Sequence, residues 1–381
     1  MNINIYGSTG VIGSKTLSII NKHFDNLKVN LLCANNNVDK LINQIHIFSP
    51  KYVYLNNKNK INYLKNNINN QTQILKYDEL ISYLNSSKSE LSLLAISGYK
   101  SLNYFEYILN NTSSLGLVSK ESIVSAGHLF KNINKSLKKK IYPLDSEHFS
   151  IFKNINFNKN EELKKLTLTA SGGPFLGKKY LSLKNISFKK ASTHPKWKMG
   201  YKNSIDSATL VNKCLELIEA HYLFDLEYNN LKIIIHPESK IHSIFEYSNY
   251  LYNMVAFHND MTIPIFHFLN QYNNYELNEN KFSFKGNEKL SFYNVKFDEF
   301  PIFKFFNSFN KSDPSNIIKF NVGNEFAVNL FKNNRIKYTD ICKIVTKITS
   351  LNLNYKLKNI KDIIYYHELL ENIINEKFNS L

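Results

Sequence analysis

Cysteine is scarce in this sequence, and its apolar runs are short. The 381 residues include 3 cysteines, which lie far apart at Cys33, Cys214 and Cys342. Isolated cysteines argue against a disulfide scaffold and against a zinc site, and they are typical of a reducing compartment. An apolar run such as residues 91–96 is far shorter than the roughly 20 residues that a membrane-spanning helix needs. We therefore expect a globular protein with no membrane partner.

Arginine is almost absent, although the net charge is +17 at pH 7. A charge of this size raises the hypothesis of a nucleic-acid-binding protein. Arg335 is the only arginine, however, and arginine is the residue that recognises phosphates and bases with paired hydrogen bonds. The lysines are scattered among asparagines along the whole chain. We interpret most of them as a solvated surface that attracts anionic substrates, and we expect no nucleic-acid partner.

We expect no targeting segment at the start of the chain. Met1 runs almost directly into an apolar strand pattern, without the charged, apolar and small-residue succession of a leader peptide. A bacterial cytoplasmic location is the expectation. The interior of a plastid is the alternative if a transit peptide has been removed.

Short apolar segments alternate with helical patterns in the first part of the chain. The predicted strands are residues 2–6, 29–34, 52–55, 73–75, 91–96 and 115–118, with helices such as 12–22 and 38–48 between them. Such alternation predicts βαβ units. The expected fold class is therefore α/β, with an N-terminal Rossmann-like, doubly wound parallel sheet.

The rest of the chain divides into a mixed part and a helical part. Strands are predicted at residues 163–170, 231–235, 241–247 and 253–257, a long helix at 204–224, and a short strand at 290–292. The predicted domains are a nucleotide-binding domain at 1–144, a central α+β catalytic domain at 145–270 with a lid loop near 192–201, a linker at 271–299, and a C-terminal helical domain at 300–381.

Glycine is also scarce, yet three of the 12 glycines are Gly7, Gly10 and Gly13. They follow the first strand and open a helix, where glycine permits a tight turn and lets the backbone approach a pyrophosphate. An ordinary tight turn is the alternative. The second strand ends at residues 35–37, which are all asparagine. They offer neither the carboxylate that holds the ribose of NAD nor a base for the phosphate of NADP.

Two segments carry candidate metal ligands. Asp145 and Glu147 lie two positions apart after a short apolar strand, so in an extended segment they project to the same side. Paired carboxylates suit Mg²⁺ or Mn²⁺, although a plain helix cap is the alternative. Asn212, Lys213 and Glu216 share one face of the predicted long helix and add a third carboxylate. A surface ion pair is the alternative for that face.

Three further segments are candidates for substrate contacts. The turn at Ser171, with two glycines and a proline after it, offers backbone N–H groups to an anion, or is only a turn. The polar stretch 193–200 contains His194 and Trp197, the single tryptophan, and has the composition of a lid. A lone tryptophan is more often a core residue. Lys120 begins a helix at the sheet edge, or is merely exposed there.

Taken together, these segments resemble one family along essentially the whole chain. The matching motifs are GSTGVIG at 7–13, KES at 120–122, PLDSEH at 143–148, ASGGPF at 170–175, HPKWKMG at 194–200, IDSATLVNKCLE at 205–216, IHPESKIHS at 235–243 and GNE at 323–325. The sequence is similar to the 1-deoxy-D-xylulose 5-phosphate reductoisomerase family.

The resemblance implies a role for each candidate residue. The implied ligands of Mg²⁺ or Mn²⁺ are Asp145, Glu147 and Glu216. The implied catalytic residues are Lys120, Glu147, His194 and Lys213. The implied substrate-binding residues are Ser146, Ser171, His194, Trp197, Ser207, Asn212, Lys213 and His242, with Met199 joining Trp197 in the cover. The implied NADPH-binding residues are Gly7, Ser8, Thr9, Gly10, Val11, Ile12, Asn36, Asn37, Ser119, Lys120, Glu121 and Gly200.

The implied reaction is the rearrangement of 1-deoxy-D-xylulose 5-phosphate to a branched aldehyde, which NADPH reduces to 2-C-methyl-D-erythritol 4-phosphate in the isoprenoid precursor pathway. The resemblance also implies a homodimer. This chain departs from the family pattern at Asn36, where a basic residue is usual, at Ser119, at residues 98–101 and at residues 259–262. The alternatives are another NAD(P)-dependent dehydrogenase of Rossmann type, a nucleic-acid-binding protein, and a relative without catalytic activity.

Overall fold

The computed structural model describes residues 1–130, 135–155, 162–197, 200–277 and 286–378. The chain forms two compact units. The first contains Met1–Ser122, Ile133–Asp145 and Met261–Glu279, and the second contains Ile123–Asn132, Ser146–Asp260 and Asn280–Leu381. Each unit is thus assembled from segments that are distant in the sequence.

The first unit is built on a parallel sheet of seven strands. They are β1 (Asn2–Tyr6), β2 (Lys28–Ala34), β3 (Tyr52–Leu55), β4 (Gln73–Ile74), β5 (Ser89–Leu94), β6 (Thr112–Leu117) and β7 (Ile141–Pro143). Their order is β4-β3-β2-β1-β5-β6-β7, with every pair parallel. The central strands are almost wholly buried, as helices on both faces require. The predicted α/β class with a doubly wound sheet is confirmed.

The strand order reverses between β1 and β5. The chain proceeds from β1 to β4 on one side of the sheet and then continues from β5 to β7 on the other. Such a reversal leaves a crevice outside the carboxyl ends of the two central strands, where ligands of open α/β sheets bind. The glycine loop that follows β1 begins at this point of the fold.

The second sheet has five strands and belongs to the second unit. They are β8 (Leu163–Ala170), β9 (Leu231–Ile235), β10 (Ile241–Tyr247), β11 (Tyr252–Ala256) and β12 (Tyr293–Asn294). Their order is β11-β10-β8-β9-β12, in which β8 and β9 are parallel and the other pairs are antiparallel. The short strand predicted at 290–292 lies slightly later in the chain, because it is β12, at residues 293–294, that pairs with β9.

Helices connect and cover the strands of both sheets. In chain order they are α1 (Val11–His23), α2 (Val38–Phe48), α3 (Ile61–Asn66), α4 (Tyr77–Ser86), α5 (Leu102–Asn110), α6 (Lys120–Phe130), α7 (Lys135–Lys138), α8 (Ser146–Asn154), α9 (Phe188–Ala191), α10 (Tyr201–Thr209), α11 (Val211–Phe224), α12 (Thr262–Leu269), α13 (Pro301–Ser308), α14 (Pro314–Lys332), α15 (Asp340–Thr349) and α16 (Ile360–Lys377). Among the described residues, none of these helices is long and apolar enough to cross a membrane.

The long helix predicted over residues 204–224 is wrong, because the structure has two helices there. Leu210 separates α10 from α11 and adopts a left-handed backbone conformation with φ +69°. This conformation is uncommon for a residue with a branched side chain. The Leu210 side chain is buried, so packing holds the residue in the break. The apolar periodicity continues across the break and therefore conceals it in the sequence.

Helix α12 groups with the first unit, although its position at residues 262–269 falls within the segment predicted as the central domain. It packs against the end of α1: the ring of Phe266 lies 5.6 Å from that of His23 and 5.2 Å from that of Phe24. The chain thus returns to the first unit after leaving it.

The C-terminal helices α13 to α16 form an apolar core within the second unit. Their fully buried side chains include Ile317, Phe320, Val345, Ile348 and Ile363. Gly323 lets α14 and α15 approach each other, because a Cβ at this position would stand 3.1 Å from Ile348. The finer division into a central domain, a linker and a helical domain stays a prediction.

Candidate active site

The glycine loop closes tightly over the carboxyl end of β1. Gly7 has φ +91°, and a Cβ at this position would stand 2.5 Å from the carbonyl oxygen of Ala95. The N–H groups of Gly7 and Ser8 both donate to the carbonyl of Cys33 at 2.9 Å. Only glycine fits this turn, since both the backbone conformation and the space exclude a side chain.

The residues after Gly7 lead into helix α1. Gly10 is its N-cap, and Val11, its first residue, is 68% exposed. Thr9 lies in the loop between them, and Ile12 lies in the first turn, where its carbonyl accepts from Thr16. Ser8 is fully buried, and its hydroxyl oxygen has no partner among the described residues. A helix N-terminus open to solvent behind a tight glycine turn suits a pyrophosphate.

The asparagines after β2 lie beside a lysine that the sequence analysis missed. Asn37 caps α2 by accepting from the N–H of Lys40. Asn36 accepts a hydrogen bond from Asn57 at 2.6 Å, and its carbonyl accepts one from the ammonium of Lys60 at 3.0 Å. Lys60 is 24 residues away in sequence, so only the pairing of β2 with β3 reveals that it is close.

The residues around the start of α6 form a set of short contacts in the first unit. Ser119 Oγ lies 3.1 Å from Ser101 Oγ and donates to the carboxylate of Glu121. The ammonium of Lys120 donates to Asp145 Oδ2 at 2.7 Å. Lys120 is therefore paired with a predicted metal ligand and is not simply an exposed residue at a helix start.

Three carboxylates converge as the sequence analysis expected, although Glu147 lies in the first turn of helix α8 and not in the extended segment that was predicted. Asp145, Glu147 and Glu216 each place one oxygen within 4.8 Å of the others. Glu216 is completely buried and Glu147 is 8% exposed. Buried carboxylates at this separation repel one another unless positive charge lies among them. An all-oxygen donor set of this kind suits Mg²⁺ or Mn²⁺.

Lys213 supplies positive charge to two of these carboxylates. Its ammonium lies 2.6 Å from Glu147 Oε1 and 2.6 Å from Glu216 Oε2. Asn212 donates to the other oxygen of Glu216, and Ser146 donates to Glu147 Oε2 at 2.6 Å. The first turn of α11 thus holds the amide and the ammonium on the face that carries Glu216, as their spacing predicted.

Two histidines support this cluster from the second unit. His242 Nδ1 lies 3.7 Å from Glu147 Oε1, and its ring stacks on Phe257 with ring centroids 3.9 Å apart. His148 Nε2 lies 3.0 Å from the carbonyl of Glu216 and so joins α8 to α11. The sequence analysis gave His148 no role; its only signal was its place in the motif with Asp145 and Glu147.

His194 joins two serine hydroxyls. Its Nε2 lies 2.9 Å from Ser171 Oγ and 3.1 Å from Ser207 Oγ. Its Nδ1 accepts from the backbone N–H groups of Lys196 and Trp197, so the proton of the neutral ring belongs on Nε2. Burial, assisted by the charge of Lys213, lowers the pKa of His194 to about 4. The ring is therefore neutral near pH 7.

A tight backbone approach places Ser171 next to helix α10. Gly173 has φ +66°, and a Cβ there would stand 2.9 Å from Ala208 Cα and 3.0 Å from the carbonyl oxygen of Ser207. The N–H of Gly173 donates to Ser171 Oγ at 3.2 Å. Ser171, Ser207 and His194 therefore form one polar group that offers hydroxyl and imidazole N–H donors.

Trp197, a described residue of the predicted lid, lies next to His242 of the site. Trp197 is partly exposed and packs its ring edge against His242, with centroids 6.3 Å apart. It is therefore not a core residue. Gly200 is the exposed N-cap of α10 and lies in the second unit. Met199, which was expected in the cover, lies outside the described residues.

Comparison with models of known families shows to which family the chain belongs. Residues 3–127 match the family model described as 1-deoxy-D-xylulose 5-phosphate reductoisomerase. Residues 141–224 match the model of its C-terminal domain, and residues 258–372 match that of the DXP reductoisomerase C-terminal domain. The chain belongs to the 1-deoxy-D-xylulose 5-phosphate reductoisomerase family. The resemblance noted in the sequence is thereby confirmed, and the chain is an oxidoreductase of this family.

Relatives with the family's name match along nearly the full chain. The 1-deoxy-D-xylulose 5-phosphate reductoisomerase of Clostridium tetani is 36% identical over 99% of this chain and 100% of its own length. That of Sulfurihydrogenibium is also 36% identical, over 99% of this chain and 98% of its own. The apicoplastic enzyme of Plasmodium falciparum is 35% identical over 95% of this chain and 79% of its own.

Solved structures of reductoisomerases also share the fold. A DOX-P reductoisomerase in complex with NADPH, fosmidomycin and magnesium superimposes with a TM-score of 0.87 at 30% identity, covering 100% of this chain and 98% of its own. The Zymomonas mobilis enzyme in complex with NADPH gives a TM-score of 0.87 at 28% identity, covering 100% and 99%. Family membership thus extends to the fold of the whole chain.

Proposed function

We propose that this chain catalyses the metal-dependent and NADPH-dependent conversion of 1-deoxy-D-xylulose 5-phosphate to 2-C-methyl-D-erythritol 4-phosphate, a step towards isoprenoid precursors. The observation that carries the proposal is the cluster of Asp145, Glu147 and Glu216. This cluster includes buried carboxylates, which a plain dehydrogenase of Rossmann type does not require. That alternative explains the glycine loop but leaves the carboxylates and Lys213 without a role.

The residues fit both of the groups that the reaction needs. The carboxylate oxygens lie within 4.8 Å of one another, and the glycine turn leaves no room for a side chain at Gly7. When bound, a divalent metal supplies positive charge for the substrate's reacting oxygens, and NADPH supplies the hydride. The residues around the glycine turn, with Asn36, Asn37, Ser119 and Glu121, hold the dinucleotide.

The substrate phosphate binds at the polar group of Ser171, Ser207 and His194. Two hydroxyls and a neutral imidazole N–H provide directed donors, and Lys213 adds positive charge close enough to lower the pKa of His194. Asn212 and Lys213 extend the same donor set towards the substrate hydroxyls. An anion is stabilised here because charge-assisted hydrogen bonds are roughly twice as strong as neutral ones.

The reacting carbons lie near the carboxylate cluster. Lys120, paired with Asp145 at 2.7 Å, and Lys213 hold ammonium groups where negative charge develops on the substrate oxygens. Ser146 and His242, both beside Glu147, orient the substrate. Trp197 covers the site with the lid segment and excludes water from the aldehyde that the rearrangement produces. A hydride from NADPH on the carbonyl carbon, which leaves NADP⁺, and one proton on the oxygen would convert that aldehyde to the alcohol.

The chain acts as a homodimer in the cytoplasm of a bacterium, or inside a plastid-derived organelle. Bacterial relatives support the first location and the apicoplastic relative of Plasmodium falciparum the second. Light scattering coupled to size exclusion tests the assembly, because a monomer has a mass of 44.4 kDa. A mass near this value at micromolar concentration contradicts the dimer.

NADPH oxidation tests the proposed function. NADPH absorbance is expected to fall only when both the sugar phosphate and Mg²⁺ or Mn²⁺ are present, and a chelator abolishes the reaction. Glu216→Gln removes a buried ligand, so we expect kcat/KM to fall by roughly 100-fold or more, the loss typical of one transition-state contact. Glu246→Gln is the matched control, since this partly exposed carboxylate pairs with Lys164 at 3.5 Å, far from the buried cluster in its degree of burial. Metal-independent turnover contradicts the proposal.

A further inference from the structure

The carboxyl end of β2 is the place where a doubly wound fold distinguishes its dinucleotides. A carboxylate there binds the ribose 2′-hydroxyl of NAD, and a basic residue accommodates the 2′-phosphate of NADP. In this chain the positions are Asn35, Asn36 and Asn37, which supply neither charge. The charge that selects the cofactor must therefore come from another element.

Strand β3 brings such a charge to this edge. β2 and β3 pair in register to their ends, with Ala34 opposite Leu55. The loop after β3 continues the ladder, since the N–H groups of Asn56 and Asn57 donate to the carbonyls of Ala34 and Asn35 at 3.0 and 2.9 Å. The two loops thus run side by side beyond the sheet.

Lys60 ends the short helix Lys58–Lys60 in the loop after β3. Its ammonium donates to the carbonyl of Asn36 at 3.0 Å, and Asn57 fixes the Asn36 side chain with a hydrogen bond of 2.6 Å. An ammonium has three N–H donors. In the described part of the chain its side chain makes this one hydrogen bond, so two donors remain for an incoming anion.

The neighbouring charges favour an anion at this position. Lys40 donates from its ammonium to the carbonyl of Thr9 at 3.1 Å, which places positive charge on the glycine loop as well. Asp39 is the acidic residue in the first turn of α2. Its carboxylate is engaged by the hydroxyl of Tyr63, whose pKa is raised by that contact.

We propose that Lys60 binds the 2′-phosphate of NADPH and that it gives this chain its preference for NADPH over NADH. Lys60 takes the place of the basic residue that is absent at Asn36. The proposal rests on the proposed function, because it assumes that the glycine loop holds a nicotinamide dinucleotide. NADH has a hydroxyl in place of the 2′-phosphate, so the ammonium of Lys60 adds no charge–charge attraction to its binding.

Direct binding of nucleotide fragments tests the proposal without turnover. Calorimetry with 2′,5′-ADP and 5′-AMP compares ligands that differ only in the 2′-phosphate. Lys60→Gln is expected to lower the affinities for 2′,5′-ADP and NADPH by about tenfold or more, which is the effect of losing one charge-assisted hydrogen bond. The affinities for 5′-AMP and NADH are expected to change by less than about twofold, since these two ligands lack the 2′-phosphate. Lys60→Arg keeps the charge and is expected to keep the NADPH preference.

Lys58→Gln is the matched control. Lys58 lies on the same short helix and is exposed, so its substitution removes the same charge from the surface. The proposal is overturned if Lys58→Gln and Lys60→Gln weaken the binding of 2′,5′-ADP equally. It is also overturned if Lys60→Gln weakens the ligands with and without the 2′-phosphate equally. Suppose that the wild-type chain oxidises NADPH with the sugar phosphate and that Lys60→Gln still prefers NADPH over NADH. The proposed function then stands, and the role proposed for Lys60 is wrong. If the wild-type chain binds neither nucleotide, both fail.

Discussion

Lys213 explains how buried carboxylates are tolerated in the folded chain. Its ammonium contacts both Glu147 and Glu216 at 2.6 Å. Taking charges out of water is costly unless opposite charges and hydrogen bonds compensate for the lost hydration. The contacts of Asn212 and Ser146 with the remaining carboxylate oxygens complete that compensation. The polar face of α11 therefore carries buried charges that are compensated by neighbouring groups. It is not a surface ion pair.

The neutral state of His194 leads to a prediction about pH. Burial lowers its pKa from 6.5 to about 4 in the folded chain, so between these values the unfolded chain binds more protons. The stability that the neutral ring contributes is fully present above about pH 6.5 and is lost as pH falls towards 4. We expect the His194 resonance of the free protein to titrate with a midpoint near pH 4, as measured by NMR of labelled histidine.

His194→Gln identifies that resonance, because its signal disappears in this variant. A His194 midpoint at or above 6.5 contradicts the buried, neutral ring. A neutral ring matters to the proposed function because the Nε2 proton is then fixed between the hydroxyls of Ser171 and Ser207.

At the scale of elements, helix α14 supports the substrate site by holding α10. Asn324 donates to Asp206 Oδ1 at 2.7 Å, and Lys202 donates to Asp206 Oδ2 at 2.9 Å. Asp206 is 1% exposed and precedes Ser207 in the chain. The motif at residues 323–325 thus acts on the site through α10, although its residues lie outside the catalytic set.

Asn324→Ala tests this support. The substitution leaves a buried carboxylate oxygen without its donor, so we expect the free energy of unfolding to fall by about 2 kcal/mol. Denaturant unfolding measures the change. Asn329→Ala on the exposed side of the same helix is the control, with an expected change within about 0.5 kcal/mol. Equal stability of the two variants contradicts a supporting role for Asn324.

The sequence predicted most strands and the parallel sheet because their apolar residues are buried on both faces. It also predicted which carboxylates converge, and Glu216 does share a helix face with Lys213. The extended segment assumed for Asp145 and Glu147 is wrong, because Glu147 lies in the first turn of α8. It did not predict the break at Leu210, which tertiary packing imposes without a glycine or proline. Lys60 was missed for a similar reason, because its closeness to Asn36 depends on strand pairing and not on local spacing.

At the scale of the whole molecule, the two units divide the predicted functions. The first unit holds the glycine loop, the asparagines after β2 and the start of α6. The second holds Glu147, Glu216, Lys213 and the polar group around His194. The positive net charge of +17 is appropriate for a protein whose proposed substrate and dinucleotide are both anionic, because a basic surface raises their local concentration.

The structure of the product tests the central claim most directly. ¹³C and ³¹P NMR of the product formed from 1-deoxy-D-xylulose 5-phosphate, NADPH and Mg²⁺ reveal both the carbon skeleton and the phosphate. We expect a methyl group on a quaternary carbon, the branched skeleton of 2-C-methyl-D-erythritol 4-phosphate, formed in equal amount to the NADPH oxidised. An unbranched, reduced sugar phosphate would show a simple dehydrogenase and would contradict the reductoisomerase account.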